Sequence, residues 1–218
     1  MSGTPFGSIL VRIYREFLDE RNFQKFVKSI AERYTEGTLA RIVQSGESES
    51  RQAAVLALRF FGSSKSVGNL ARALDDSDRS VCELAENSLW AIWRRAGTRD
   101  QNQKLAAITM LISDGHLDTA LEDANELIRE APRFAEAYNQ RAIAYYESKR
   151  YKESILDCQR VLKLNPVHFG AAAGKGQCYL ALDLPVKALE AFRQALQINP
   201  NLSSVRENVQ VLERSMEE

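Results

Sequence analysis

The chain has 218 residues, 44% of them hydrophobic and 27% charged, which supplies a substantial core and excludes disorder as an overall description. Its 29 Lys and Arg balance 29 Asp and Glu, so no global basic field draws it to nucleic acid or anionic lipid. Only 11 Gly and 5 Pro interrupt a sequence rich in Ala, Leu, Glu, Arg and Gln, which points to helices joined by short connections.

In residues 1–37, Phe6, Ile9, Leu10, Ile13 and Phe17 form one apolar face and Phe23, Phe26, Val27 and Ile30 another. They predict two amphipathic helices broken near Asp19 to Asn22. Packing onto the first helix of the next segment is the plainest use of these faces; self-association or membrane-surface binding is the sharper one. The opening MSGTPFGSILVRIYREF lacks the charged start and cleavage site of a secretory signal, and no run is long enough to span a bilayer, so cytoplasm is expected.

Residues 38–97 hold an internal repeat. LARIVQSGESESRQAAVLALRFFG from Leu39 aligns without a gap on LARALDDSDRSVCELAENSLWAIW from Leu70, matching Leu39 with Leu70, Ala54 with Ala85 and Leu58 with Leu89. A short apolar helix, a polar turn and a longer helix with Ala and Leu on one face resemble short HEAT repeats. The junction AGTRD, Ala96 to Asp100, is brief, which predicts that the arrays on either side stack into one body.

A second period follows in residues 98–200. Pro132, Pro166 and Pro200 are spaced by 34 residues, and LIREAP, VLKLNP and ALQINP end alike. Stacked on these prolines, Ile108, Ala142 and Gly176 align, then Leu111, Tyr145 and Tyr179. Further on come Ala120, Ser154 and Ala188, then Ala124, Cys158 and Phe192, then Leu127, Val161 and Ala195. Small residues recur where helices must approach, with larger apolar ones beside them. The pattern resembles the tetratricopeptide repeat (TPR), a helix-turn-helix unit, in three copies. The third keeps its order best, as Gly176, Tyr179, Ala188, Phe192 and Pro200; the first departs most, with Ile108 at a small position and Lys104 at an apolar one. Residues 201–218 carry Leu202, Val205, Val209 and Leu212 at helical spacing and read as a capping helix. The expected fold is all-α: a right-handed solenoid of stacked antiparallel helix pairs, HEAT-like then TPR, with that terminal cap.

Motifs for chemistry are weak. GAAAGKGQ, Gly170 to Gln177, has one residue too few between Gly170 and Gly174 for a phosphate-binding loop, with Gly176 where a hydroxyl must reach magnesium. The repeat register makes Gly176 a close-approach position instead; the glycines of this helix serve either packing or ligand access. His116 and His168 fall at turns next to helix starts, away from any cluster with metal spacing. DDSD, Asp75 to Asp78, is expected to cap the following helix rather than bind calcium. Cys82, Cys158 and Cys178 form no CxxC pair and read as small buried side chains. No catalytic constellation emerges, so no enzyme activity, cofactor or metal is expected.

The TPR resemblance implies a concave groove lined by the first helix of each unit, which takes a peptide or partner domain. The inward positions it implies are Leu105, Thr109 and Ile112 in the first unit, Asn139, Ile143, Tyr146 and Glu147 in the second, and Ala173, Gln177 and Leu180 in the third. Asn139 would bond a ligand's main chain while Ile143, Tyr146 and Leu180 bury its apolar groups. The clamp by which some TPR domains hold a C-terminal carboxylate wants polar or cationic groups where Ile143, Ala173 and Gln177 stand. The expected function is a non-enzymatic scaffold or adaptor. Two alternatives are an accessory role like that of HEAT-type bilin chromophore lyases, and nucleic-acid binding through Arg94, Arg95, Arg99 and Lys104 with Trp90 and Trp93 nearby.

Overall fold

A computed structural model describes residues 6–217, with side chains from Ile9 onward. Residues 1–5, residue 218 and the side chain of Phe6, which the sequence assigns to the first apolar face, lie outside the described residues. Thirteen α-helices and no strand occur among the described residues. No helix among them is long and apolar enough to cross a membrane. Two compact units divide between Trp93 and Arg94.

The first unit begins with α1 (Phe6–Glu20), α2 (Phe23–Ala31), α3 (Glu36–Ser45) and α4 (Ser48–Phe61). After a 3-10 turn at Ser64–Ser66 come α5 (Val67–Arg72), a second 3-10 turn at Ala73–Asp75, and α6 (Arg79–Arg94). Arg21 takes a left-handed φ of 53° between α1 and α2, and Asn22 caps α2 by accepting from Lys25 N. Leu10, Ile13, Phe26 and Ile30 are buried, so both apolar faces turn inward, while Leu18 and Phe23 stay exposed. They pack chiefly on α4, the second helix of the next pair, and not on the first as expected. The reason is that α4 buries six consecutive residues, Ala53 to Leu58, and so has apolar surface on more than one side. The equivalent pairs Leu39 and Leu70, Ala54 and Ala85, and Leu58 and Leu89 are all fully buried. The helices that carry them differ in proportion: α3 has 10 residues, and α5 has 6 between two 3-10 turns.

The second unit is built from α7 (Arg99–Ser113), α8 (Leu117–Glu130), α9 (Ala135–Glu147), α10 (Tyr151–Leu164), α11 (Phe169–Ala181), α12 (Pro185–Ile198) and α13 (Ser203–Glu217). Within each pair the connection turns through one left-handed residue: Gly115 at φ 79°, Lys149 at 58° and Asp183 at 56°, again 34 apart. His116, Arg150 and Leu184 then donate their N–H back to the carbonyls of Leu111, Tyr145 and Tyr179, which satisfies helix-end acceptors. Between pairs, the residue before each repeat proline leaves helical geometry, at Ala131, Asn165 and Asn199, because proline disfavours the helical conformation there.

Size is traded across each repeat core. Gly176 sits against the ring of Phe192, Ala142 shares a cluster with Cys158, and Ile108 shares one with Ala124. The departure of the first unit from the small-residue rule is therefore matched by a small partner in its second helix. In the second unit Ser154 Oγ donates to the Ala142 carbonyl at 2.7 Å, which pairs a buried hydroxyl. Val205, Val209 and Leu212 of α13 close the apolar face of α12.

Candidate ligand-binding groove

The first helices of the three TPR-like units form one layer: α7 touches α9 and α9 touches α11, while the second helices lie between and behind them. On α9 the residues Asn139, Ile143, Tyr146 and Glu147 recur at i, i+4, i+7 and i+8, one helical face. Ile143 and Glu147 are exposed, and Tyr146 is half-buried with its ring 5.5 Å from Tyr151. Burial pushes the Tyr146 phenol above its ordinary pKa, so it stays protonated and able to donate. On α11, Ala173, Gln177 and Leu180 are all half-buried. Ala173 and Leu180 lean on the core shared by α11, α12 and α13.

The first unit contributes less. Leu105 is buried in the core of its own unit, Ile112 packs against that core, and the exposed Thr109 donates its hydroxyl to the Leu105 carbonyl at 2.9 Å. Leu105 is thus a core residue in this structure; a leucine at the start of a long helix cannot be told from a groove leucine by spacing alone.

Asn139 is nearly buried, at 5% exposure, and its Nδ2 donates to Glu136 Oε1 at 2.9 Å. The other oxygen, Glu136 Oε2, lies 3.1 Å from His168 Nε2. His168 Nδ1 accepts from Ala171 N at 3.0 Å and so caps α11, which leaves the ring hydrogen on Nε2 facing the carboxylate. One buried carboxylate therefore orients the groove amide and joins the second unit to the cap of the third. Sequence reasoning missed this cluster: His168 was placed at a helix start without a partner, and Glu136 was not singled out. The available signal was the period, since the equivalent of Glu136 one repeat later is residue 170, two positions past His168.

The other motifs resolve locally. GAAAGKGQ lies within α11, where Lys175 Nζ donates to Gln194 Oε1 at 2.8 Å. Asp78 accepts from Ser80 N at the start of α6, from Gln52 and from Ser48; these hydrogen bonds hold its carboxyl down to about 2. Its neighbour Asp76 takes Arg51 in two bonds of 2.7 and 2.6 Å, so the acidic stretch ties α4 to the entry of α6. The three cysteines are buried, and burial pushes the Cys158 thiol up to about 12, which leaves it unreactive at neutral pH. Lys104, one of the cations in the nucleic-acid reading, donates to Glu130 at 2.6 Å and lies 3.6 Å from Glu126.

Two models of the tetratricopeptide repeat match residues 135–168 and 158–203. Over 137 residues the chain is 26% identical to a TPR repeat-containing protein of Rhizobium etli, covering 63% of this chain and 67% of that protein. It is 29% identical over 85 residues to anaphase-promoting complex subunit 7 of Dictyostelium discoideum, covering 39% of this chain but only 15% of that protein. Among solved structures, the first TPR domain of Spaghetti (RPAP3), determined with an HSP90 peptide, superposes with a TM-score of 0.53 at 17% identity, covering 56% of this chain and 97% of that one. The Sgt2 TPR domain of Aspergillus fumigatus gives 0.52 at 16%, covering 56% and 82%. At such identities the structural likeness carries the fold. The period, the helix pairs and the family matches agree that residues 135–203 of the second unit carry tetratricopeptide repeats.

Proposed function

We propose that the chain is a non-enzymatic scaffold whose second unit holds a peptide or partner domain on the layer formed by α7, α9 and α11. The observation that carries this reading is the α9 and α11 face. It leaves Ile143 exposed and Tyr146, Gln177 and Leu180 half-open to solvent beside a buried, oriented amide, although the same helices bury Ala137, Ala142 and Ala144 and Ala171, Ala172 and Cys178 on their other sides. That a related TPR fold was solved with an HSP90 peptide on it supports a peptide as the kind of ligand. The HEAT-like reading of residues 38–97 makes the first unit a second surface for a separate partner, and a cytoplasmic setting fits both.

Panning a peptide library against the full chain tests the proposal. A sequence family should enrich on the unaltered protein, and Ile143→Lys should weaken its binding roughly tenfold while helix content stays unchanged, because an exposed apolar contact is removed without touching the core. Equal binding by the variant would place the recognition surface elsewhere on the chain.

A further inference from the structure

The first unit repeats a charged pentapeptide that its core does not need. GTLAR, Gly37 to Arg41, lies in α3 and GNLAR, Gly68 to Arg72, makes up most of α5, in the same gapless register as Leu39 on Leu70. Leu39 and Leu70 are fully buried and account for themselves, but the glycine and arginine at the two ends of each copy are exposed. A methyl group at Gly37 or Gly68 would meet nothing within 4 Å, so packing does not ask for glycine at either place. The helices α3 and α5 touch, and an open cleft of about 700 Å³ is lined by Gly37, Arg41 and Gln44 of α3, Asn69 of α5, and Lys65 of the 3-10 turn before α5.

Positive charge is left uncancelled at this cleft. Arg72 Nε donates to Gln44 Oε1 at 2.9 Å and its Nη2 to Asn69 Oδ1, while Gln44 Nε2 donates to the Asn69 carbonyl at 3.1 Å. The guanidinium is thereby oriented by neutral amides that leave its charge intact. Among the described residues Arg41, Lys65 and Arg72 form no ion pair, although Arg51 and Arg79 of the same unit do. The carboxylate in the lining, Glu36, already accepts from Ser63 N at 2.7 Å and from the Ser66 hydroxyl at 2.6 Å. Like charges so placed repel, and an anionic ligand relieves them.

The lining holds no aromatic ring on which a base would stack, and the net charge of the chain is zero, so nucleic acid is the poorer fit. Guanidinium groups take carboxylates in a planar two-bond geometry. Helices in contact stand about 8–10 Å apart, and side chains three residues apart on an extended chain, at about 3.3 Å per residue, span the same distance. We propose that the cleft between α3 and α5 binds an acidic segment of a partner polypeptide, with Arg41 and Arg72 each taking one carboxylate and Lys65 adding charge beside them. The site belongs to the first unit and does not depend on the groove of the second.

The test presents the full chain with arrayed peptides of random sequence that carry two glutamates three residues apart, each beside a twin with glutamine at those places. Glutamate peptides should be retained, their twins should bind at least tenfold more weakly, and added salt should weaken retention. Arg41→Gln combined with Arg72→Gln should lower binding roughly tenfold, whereas Arg79→Gln, an exposed cation of the same unit outside the lining, should leave it unchanged. Circular dichroism establishes that the variants are folded; if the double variant is not, Lys65→Gln on its exposed turn should weaken binding several-fold in its place. Equal retention of the twins, or retention that survives the substitutions in the cleft, overturns the inference. So does loss of binding in Ile143→Lys, which would carry the acidic ligand to the groove of the second unit, and so does retention of no glutamate peptide. Tighter binding of a single-stranded oligonucleotide than of any peptide also overturns it and makes the cleft a nucleic-acid site.

Discussion

A methyl group at Gly176 would lie 2.5 Å from two carbons of the Phe192 ring, and Phe192 is fully buried, so the ring has nowhere to retreat. Two residues earlier, a methyl at Gly174 would meet only the Cys158 sulfur, at an ordinary 3.7 Å. The two glycines share one helix and differ entirely in what surrounds them. Gly176→Ala should therefore cost about 1–3 kcal/mol through overpacking. Gly174→Ala should stabilise by about 1 kcal/mol, because alanine is the better helix former and nothing obstructs it. Urea titration of both variants checks the opposite signs; equal effects would mean that the α11 and α12 contact is looser than described. Close packing thus accounts for Gly176, and Gly174 has no packing partner that demands it. The repeat register in the sequence already marks Gly176 as the close-approach position; that Gly174 meets only a sulfur at ordinary contact is visible in the structure alone.

Between elements, a largely buried ion pair joins Arg141 of α9 to Asp157 of α10 in the second unit. Both are largely buried, and Arg141 reaches Asn125 of α8 while its guanidinium lies 5.6 and 5.7 Å from the Tyr138 and Tyr145 ring centres. The charge-assisted bonds to Asp157 raise the Arg141 pKa further, so the guanidinium stays charged. Removing one partner strands the other charge in a dry site: Asp157→Ala should lower stability by about 3 kcal/mol. The double change Arg141→Met, Asp157→Leu should cost much less, because both desolvation penalties disappear together. A double-mutant cycle in guanidinium checks this, and additive losses would show that the pair contributes packing alone. Neither residue stood out in the sequence, where an arginine and an aspartate 16 apart are ordinary surface charges. Only the antiparallel return of α10 along α9 brings them together.

For the molecule as a whole, the second unit depends on its last helix. Val205, Val209 and Leu212 cover the face of α12 that carries Leu189 and Phe192, and without α13 that face would meet water. A chain ending at Asn201 should melt at a lower temperature and scatter light at concentrations where the full chain stays monodisperse; an unchanged melt would mean that α13 is not a stabilising cap. The capping helix, the pairs of the second unit and the turns between them were legible in advance. A 34-residue period in Pro, small and apolar residues fixes helix length and connection, and those are local properties. The landing of α1 and α2 chiefly on α4 was not legible, because an amphipathic face shows that it will be buried but not against what. The same limit applies to the groove. The TPR resemblance implied Asn139, Ile143, Tyr146 and Glu147 as inward positions, and their spacing sets them on one helical face. The tertiary structure made Leu105 a core residue and set Glu136 and His168 under Asn139, because burial and hydrogen bonding between repeats depend on which helices meet, and that is decided only when the pairs stack.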